Sequence, residues 1–207
     1  MFSADAETRR KVAFSVAMIA LSAKMAKADG IVSNAEIDAF RRIFAIPPDE
    51  IRNVFRLYDL ARQDVAGFEA YARQVSGLCR ATSGEQSLLV DVLDGLFHIA
   101  AADGVVHERE LEFLHRVSAI FGLSERTYAQ IEARHVRGRA NAAYAILGVD
   151  PGDPPEAIRR QYLKLVQENH PDRLQARGVP EEFLAIATER MKAINAAWND
   201  ISKMAVT

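Results

Sequence analysis

Cysteine is almost absent from this sequence. The single thiol, Cys79, excludes an internal disulfide and any zinc module that is built from several cysteines. It lies within an apolar helical pattern, which predicts a small, buried, hydrophobic side chain. A lone thiol with no signal peptide is typical of a reducing compartment, and we therefore expect a cytoplasmic protein.

Long apolar runs are also lacking. The most apolar stretch, 12–21, has about half the length that a membrane-spanning helix needs, and Lys24 and Lys27 follow it. The sequence as written therefore predicts a soluble chain.

Neither sign of charge dominates. The net charge is -2, and basic and acidic side chains are balanced in both the N-terminal two thirds and the C-terminal third. The one concentrated basic stretch, Arg134, Arg137 and Arg139, is typical of a solvated linker, so we expect no nucleic-acid partner. The sequence also lacks a P-loop, a recognisable Ser/His/Asp arrangement and a cysteine nucleophile in suitable company, which predicts a protein that is not an enzyme.

Apolar residues recur at three- and four-residue spacing along nearly the whole chain, which predicts an all-α fold. The predicted helices are 7–28, 35–46, 49–62, 65–81, 85–102, 108–121, 124–135, 142–147, 154–169 and 180–203. A polar, glycine-containing stretch at 136–141 is typical of a linker. It predicts a helical domain over 1–135 and a smaller one over 142–207.

The N-terminal domain contains an internal repeat. The pattern of 24–32 returns 74 residues later at 98–106, with Ala-Asp-Gly in each copy, and a glutamate follows each glycine by six residues, Glu36 and Glu110. This predicts two helical hairpins packed as a pseudo-symmetric bundle. The repeated Asp-Gly loops resemble those of TerB-like domains.

The C-terminal domain contains the triplet His170-Pro171-Asp172 between two predicted helices. The sequence IRRQYLKL precedes it at 158–165, and KAINAAW follows at 192–198. Between these flanks the triplet resembles the J domain of DnaJ-type co-chaperones, an antiparallel helical hairpin. A TerB-like domain followed by a J domain resembles the DjlA family, in which a short loop such as 174–180 joins the helices.

The resemblance implies a co-chaperone that binds a DnaK-type chaperone and stimulates its ATP hydrolysis, with the TerB-like domain as a targeting or interaction module. The implied DnaK-binding residues are the triplet, a basic helical face before it and the arginine after it: His170, Pro171, Asp172, Arg159, Arg160, Tyr162, Lys164 and Arg173. Leu163 and Trp198 depart from the family pattern. Leu163 stands where relatives commonly have a cation, which predicts weaker electrostatic steering, and Trp198 replaces a tyrosine in the core.

The repeated loops admit a second interpretation. Asp29, Glu36, Asp103 and Glu110 could form a shared divalent-metal site, since acidic metal binding has been proposed for TerB-like proteins. The residues around them do not fit an EF-hand, and a capping box at Ser33 and Glu36 favours loops that are purely structural. We therefore predict no cofactor, and a metal- or stress-sensing module whose J domain relays the output is the alternative function.

Several features stay open at this level. The clients, the DnaK paralogue and a homodimer are not specified by the sequence. Relatives of the DjlA type carry an N-terminal membrane anchor and face the cytoplasm, so a membrane location would require an anchor upstream of this sequence.

Overall fold

Helices make up all the regular secondary structure that the computed structural model describes, and no strand occurs among these residues. The all-α prediction is confirmed. The structure describes residues 16–28, 34–44, 52, 56, 58, 60, 67–83, 86–136, 138, 141–170, 172–173 and 184–204.

The helices are named here in chain order. They are α1 (16–28), α2 (Asn34–Phe44), α3 (Phe68–Ser83), α4 (Ser87–Ala100), α5 (Glu108–Phe121), α6 (Glu125–His135), α7 (Ala142–Leu147), α8 (Pro155–Asn169) and α9 (Leu184–Met204). Where both ends are described, the predicted bounds agree to within three residues, because caps and breakers act locally. The predicted helix 49–62 lies outside the described residues except for residues 52, 56, 58 and 60, which are helical.

The chain divides into two compact units, residues 1–123 and 124–207. In the first unit, α4 is buried on nearly every side, with side chains such as Leu89, Leu93 and Phe97 fully enclosed. A helix that is apolar all round requires neighbours on all sides, and α2, α3 and α5 pack against α4. Residues 17–26 of α1 are buried as well, so the core of this unit lies along α1 and α4.

The second copy of the internal repeat is described in full. A 3-10 turn over Ala101–Asp103 follows α4, and Gly104 closes it with φ 100, a conformation that glycine adopts without strain. The α5 helix then begins after His107, whose backbone N–H donates to Glu110 Oε2 at 3.0 Å. This contact caps the helix as a glutamate at the third position is expected to do. The corresponding first loop, with Asp29 and Ser33, lies outside the described residues.

The second unit has its own core. Two long helices, α8 and α9, pack against each other, and the short α7 packs on α9. The buried side chains of this core are Leu147, Val149, Ile158, Ile194, Ala197 and Ile201, and Trp198 packs against them while partly exposed. The antiparallel helical hairpin that the sequence predicts is therefore observed.

The division between the units falls at residues 123 and 124, whereas the sequence pattern predicts a boundary after residue 135. The difference is α6, which packs on α7 and is grouped with the second unit. Local sequence signals mark where a helix ends, but they do not specify which neighbours its apolar face contacts. The predicted boundary stays a prediction.

Candidate functional site

The candidate site lies where α8 ends. Pro155 occupies the first turn of α8, where a proline costs no hydrogen bond because the first N–H groups have no partner inside the helix. At the other end, His170 has an extended backbone with φ -64 and ψ 130. The residue before a proline avoids helical geometry, so Pro171 explains why the helix ends here. Pro171 itself lies outside the described residues.

His170 and Asp172 contact each other just beyond the end of α8, where Asp172 and Arg173 are helical. The backbone N–H of Asp172 donates to His170 Nδ1 at 3.3 Å, and Asp172 Oδ2 lies 3.7 Å from the same nitrogen. The Asp172 side chain is 90% exposed, which leaves its carboxylate accessible to a partner.

Arg173 contacts the last turn of α8. Its backbone N–H donates to the carbonyl of His170 at 3.0 Å, and its Nη1 donates to the carbonyl of Gln167 at 3.3 Å. The second contact uses one of the last carbonyls of the helix, which have no partner inside the helix. The guanidinium of Arg173 is thereby placed beside the last turn of α8.

An open groove of about 830 Å³, termed here the basic groove, runs along α8 and ends at His170, Asp172 and Arg173. It is lined by Arg160, Leu163, Lys164, Val166, Gln167, His170, Asp172 and Arg173. The groove brings together three cations, one carboxylate and two apolar side chains. Lys164 lies 3.9 Å from Glu168 in an exposed pair, a separation at which the attraction is weak. The groove therefore keeps a positive surface.

Two of the predicted docking residues lie outside the groove. Tyr162 stacks on Trp198 with ring centroids 4.8 Å apart and an angle of 8°, and its hydroxyl donates to Asn195 Oδ1 at 3.1 Å. This ring therefore contacts α9 rather than the groove. Arg159 is exposed but does not line the groove. The assignment of these residues to docking stays a prediction.

Two contributors were missed by sequence reasoning. Gln167 lines the groove and accepts from Arg173, but nothing in its sequence context distinguishes it from other exposed polar residues. Arg190 of α9 is only 6% exposed and donates to Asn169 Oδ1 at 2.9 Å. A signal for Arg190 existed, because the residue stands three after Ala187 and four before Ile194, on the apolar face of α9, where a charge requires partners.

The residues of the metal hypothesis have structural contacts where they are described. Asp103 is exposed and accepts from the backbone of Val105 at 3.1 Å, and the buried Glu110 caps α5. Glu36 is buried in α2, and Asp29 lies outside the described residues. Among the side chains that the structure describes, no group of three or more His, Cys, Asp or Glu residues could hold a metal ion. The shared metal site stays an alternative hypothesis.

Within the described ranges, no helix is both long enough and apolar enough to cross a bilayer.

Two protein-family models match the chain. The model for tellurite resistance protein TerB matches residues 15–133, and the model for the DnaJ domain matches residues 142–205. The two matches follow each other in the order that the sequence patterns predict.

Curated relatives match most of the chain. The co-chaperone protein DjlA of Photobacterium profundum is 28% identical over 94% of this chain and 78% of the relative. The DjlA protein of Aliivibrio fischeri is 26% identical over 95% of this chain and 80% of the relative. That of Coxiella burnetii is 26% identical over 87% of this chain and 73% of the relative. No solved structure matches the chain.

Proposed function

Since this chain belongs to the TerB family, carries a DnaJ domain after it and is homologous to the DjlA co-chaperones, we propose that it binds a DnaK-type chaperone and stimulates its ATP hydrolysis. The J domain would be the part that contacts the chaperone. The TerB domain would act as the targeting or interaction module that brings the chaperone to its clients.

One observation carries the proposal: the exposed His170 and Asp172 lie at the end of the basic groove. Arg160, Lys164 and Arg173 give this surface a positive potential, which would steer an acidic partner surface towards it. Asp172 would then accept a charge-assisted hydrogen bond from a cation of the partner, a bond that is stronger than a neutral one.

The apolar part of the groove supports the same proposal. Leu163 is 48% exposed, and Val166 lines the groove beside it. Apolar side chains inside a charged rim are typical of a protein interface. The charges would speed the encounter, and the burial of Leu163 and Val166 would stabilise the complex.

The proposal is tested with single-turnover ATP hydrolysis by the DnaK-type chaperone of the host. We expect the chain to accelerate hydrolysis, and we expect Asp172→Asn and His170→Gln to lower the stimulation at least about tenfold, since each removes a hydrogen bond made in the complex. Asp200→Asn is the matched control, because Asp200 is an exposed carboxylate of α9 that does not line the groove.

The control should stimulate as well as the unmodified chain. The co-chaperone assignment fails if the chain gives no stimulation. It also fails if Asp172→Asn and His170→Gln stimulate as strongly as Asp200→Asn.

A further inference from the structure

Arg190 is a cation in the interface between α8 and α9. Its side chain is 6% exposed, and it lies on the same face of α9 as the buried Ala187 and Ile194. A buried charge is costly unless hydrogen bonds replace the water that it loses. Arg190 can therefore lie in this interface only with hydrogen-bond acceptors around its guanidinium.

The guanidinium of Arg190 connects α9 to the last residue of α8. Its Nη1 donates to Asn169 Oδ1 at 2.9 Å, across 21 positions of sequence. The amide of Asn169 donates in turn to the carbonyl of Leu165 at 2.8 Å. The side chain of Arg190 thus joins α9 to the final turn of α8. The amide of Asn169 is hydrogen-bonded both to Arg190 and to the carbonyl of Leu165.

Asn169 directly precedes His170, so its position sets where the loop begins. Val166, Gln167 and His170, which line the basic groove, stand one to three residues from it. We propose that Arg190 is a positioning residue, which acts through Asn169 to hold His170 and Asp172 in the orientation that a DnaK-type chaperone binds. This inference rests on the proposed function and adds to it a residue that lies outside the docking surface.

The physical reason is preorganisation. A loop that samples several orientations binds with an affinity reduced by the fraction of time that it spends in the competent one. The contact with Arg190 restricts the end of α8 before the partner arrives, so less ordering is required on binding. The bond from Arg173 to the carbonyl of Gln167 also restricts the residues after His170.

The main test is Arg190→Met, which keeps a long apolar stem in the interface and removes the donors. In single-turnover assays over a range of co-chaperone concentrations, we expect the half-maximal concentration to rise about tenfold, as loss of a charge-assisted hydrogen bond implies. Arg190→Lys keeps a charge and a donor, so it should restore part of the effect. Arg190→Met combined with Asn169→Ala should cost less than the sum of the two single effects, because the contact between the two side chains is lost in each of them.

Ile201→Ala is the control for stability. Ile201 is buried in the same core but stands eleven residues beyond Arg190 along α9. At a temperature where this variant is folded, it should keep the half-maximal concentration of the unmodified chain. A rise equal to that of Arg190→Met would overturn the positioning role, since stability alone would then explain the effect.

A spectroscopic measurement separates this inference from the proposed function, because it needs no chaperone. We expect the NMR signals of the His170 imidazole to shift in Arg190→Met and to stay in place in Ile201→Ala. If the unmodified chain fails to stimulate a chaperone, the proposed function fails, whereas this measurement still decides the positioning. Unchanged His170 signals in Arg190→Met overturn the inference.

Discussion

Leu163 distinguishes the basic groove at the scale of single residues. It is an aliphatic side chain, 48% exposed, and it lines the groove together with Arg160 and Lys164. Position 163 therefore adds no charge to the positive potential of the groove. An arginine at this position should increase long-range attraction, and its aliphatic stem can keep the apolar contact that Leu163 would make with a partner.

We predict that Leu163→Arg increases stimulation of a DnaK-type chaperone about threefold at low ionic strength, as an added exposed charge typically does. The gain should fall at high salt, because screening shortens the range of the attraction. The measurement is single-turnover hydrolysis across a series of salt concentrations. Val105→Arg is the control, since Val105 is exposed in the other unit. A gain that does not change with salt, or an equal gain from Val105→Arg, would contradict the electrostatic explanation.

Cys79 shows what burial does to one titratable group. Its side chain is 1% exposed in α3, and burial, with a smaller contribution from the negative charge of Asp91, raises the pKa of the thiol from 9.0 to about 12. The folded protein therefore holds the thiol protonated at a pH where the unfolded chain would ionise it. Such a group stabilises the fold at neutral pH, and this contribution is lost as the pH rises from 9.0 towards about 12.

We predict that the free energy of unfolding of the unmodified chain falls relative to that of Cys79→Ala above pH 9.0. The slope of the difference should approach about 1.4 kcal/mol per pH unit, since one proton is released on unfolding. Urea unfolding of both proteins between neutral pH and about pH 11 measures this difference, in which other titrating groups cancel. A difference that does not vary with pH would show that the thiol ionises equally in both states.

At the scale of elements, α6 and α7 depend on each other. Ser124 begins α6, with its Oγ accepting from the backbone of Thr127 at 3.1 Å. The α7 helix has only six residues, too few to be stable alone. It ends at Gly148, where the side chain of Arg126 donates to the backbone carbonyl and the amide of Gln130 packs closely. The end of α7 is therefore in direct contact with side chains of α6.

We predict that Gly148→Ala lowers the free energy of unfolding of the second unit by about 1–2 kcal/mol. Gly148 has φ 66, which is costly for any residue with a side chain, and an added methyl group would meet Gln130. Gly152→Ala is the matched control, because no atom lies within 4 Å of the added carbon there. Urea unfolding followed by the fluorescence of Trp198, the single tryptophan, reports on this unit. Equal effects of the two substitutions would show that the conformation of Gly148 carries no cost.

At the scale of the whole molecule, family matches and compact units divide the chain differently. The TerB match runs to residue 133 and the DnaJ match begins at residue 142, whereas the second compact unit begins at residue 124. The difference is α6, which the TerB model includes but which packs on α7 and is grouped with the second unit. The folding unit of the J domain in this chain would then be longer than its family match.

We predict that a fragment 124–207 melts at a temperature more than about 5 °C above that of a fragment 142–207, because loss of the α6 packing should cost at least about 1 kcal/mol. A fragment 136–207 is the control. It adds the predicted linker without α6, so it should melt together with 142–207. Calorimetry of the three fragments measures this, and equal melting temperatures for all of them would restore the boundary after residue 135.

The sequence by itself determined those features that depend on neighbouring residues. Helical spacing, the glycines after α4 and α7, and the proline after His170 act within one or two turns, so the helices and the extended backbone at His170 could be predicted. The resemblance of the residues around His170 and Asp172 to a known family supplied the candidate site. These signals can be recognised in the sequence because each depends on residues that are close together along the chain.

Only the tertiary structure decided which distant side chains meet. Tyr162 reaches Trp198 and Asn195 rather than the basic groove, Arg190 reaches Asn169, and α6 packs on α7 in the second unit. These pairings form when whole helix faces pack together and exclude water. They depend on the three-dimensional arrangement of the helices, which the spacing of residues along the chain does not specify. The sequence alone therefore predicted the candidate site, and tertiary packing determined which distant side chains contact the helix that precedes it.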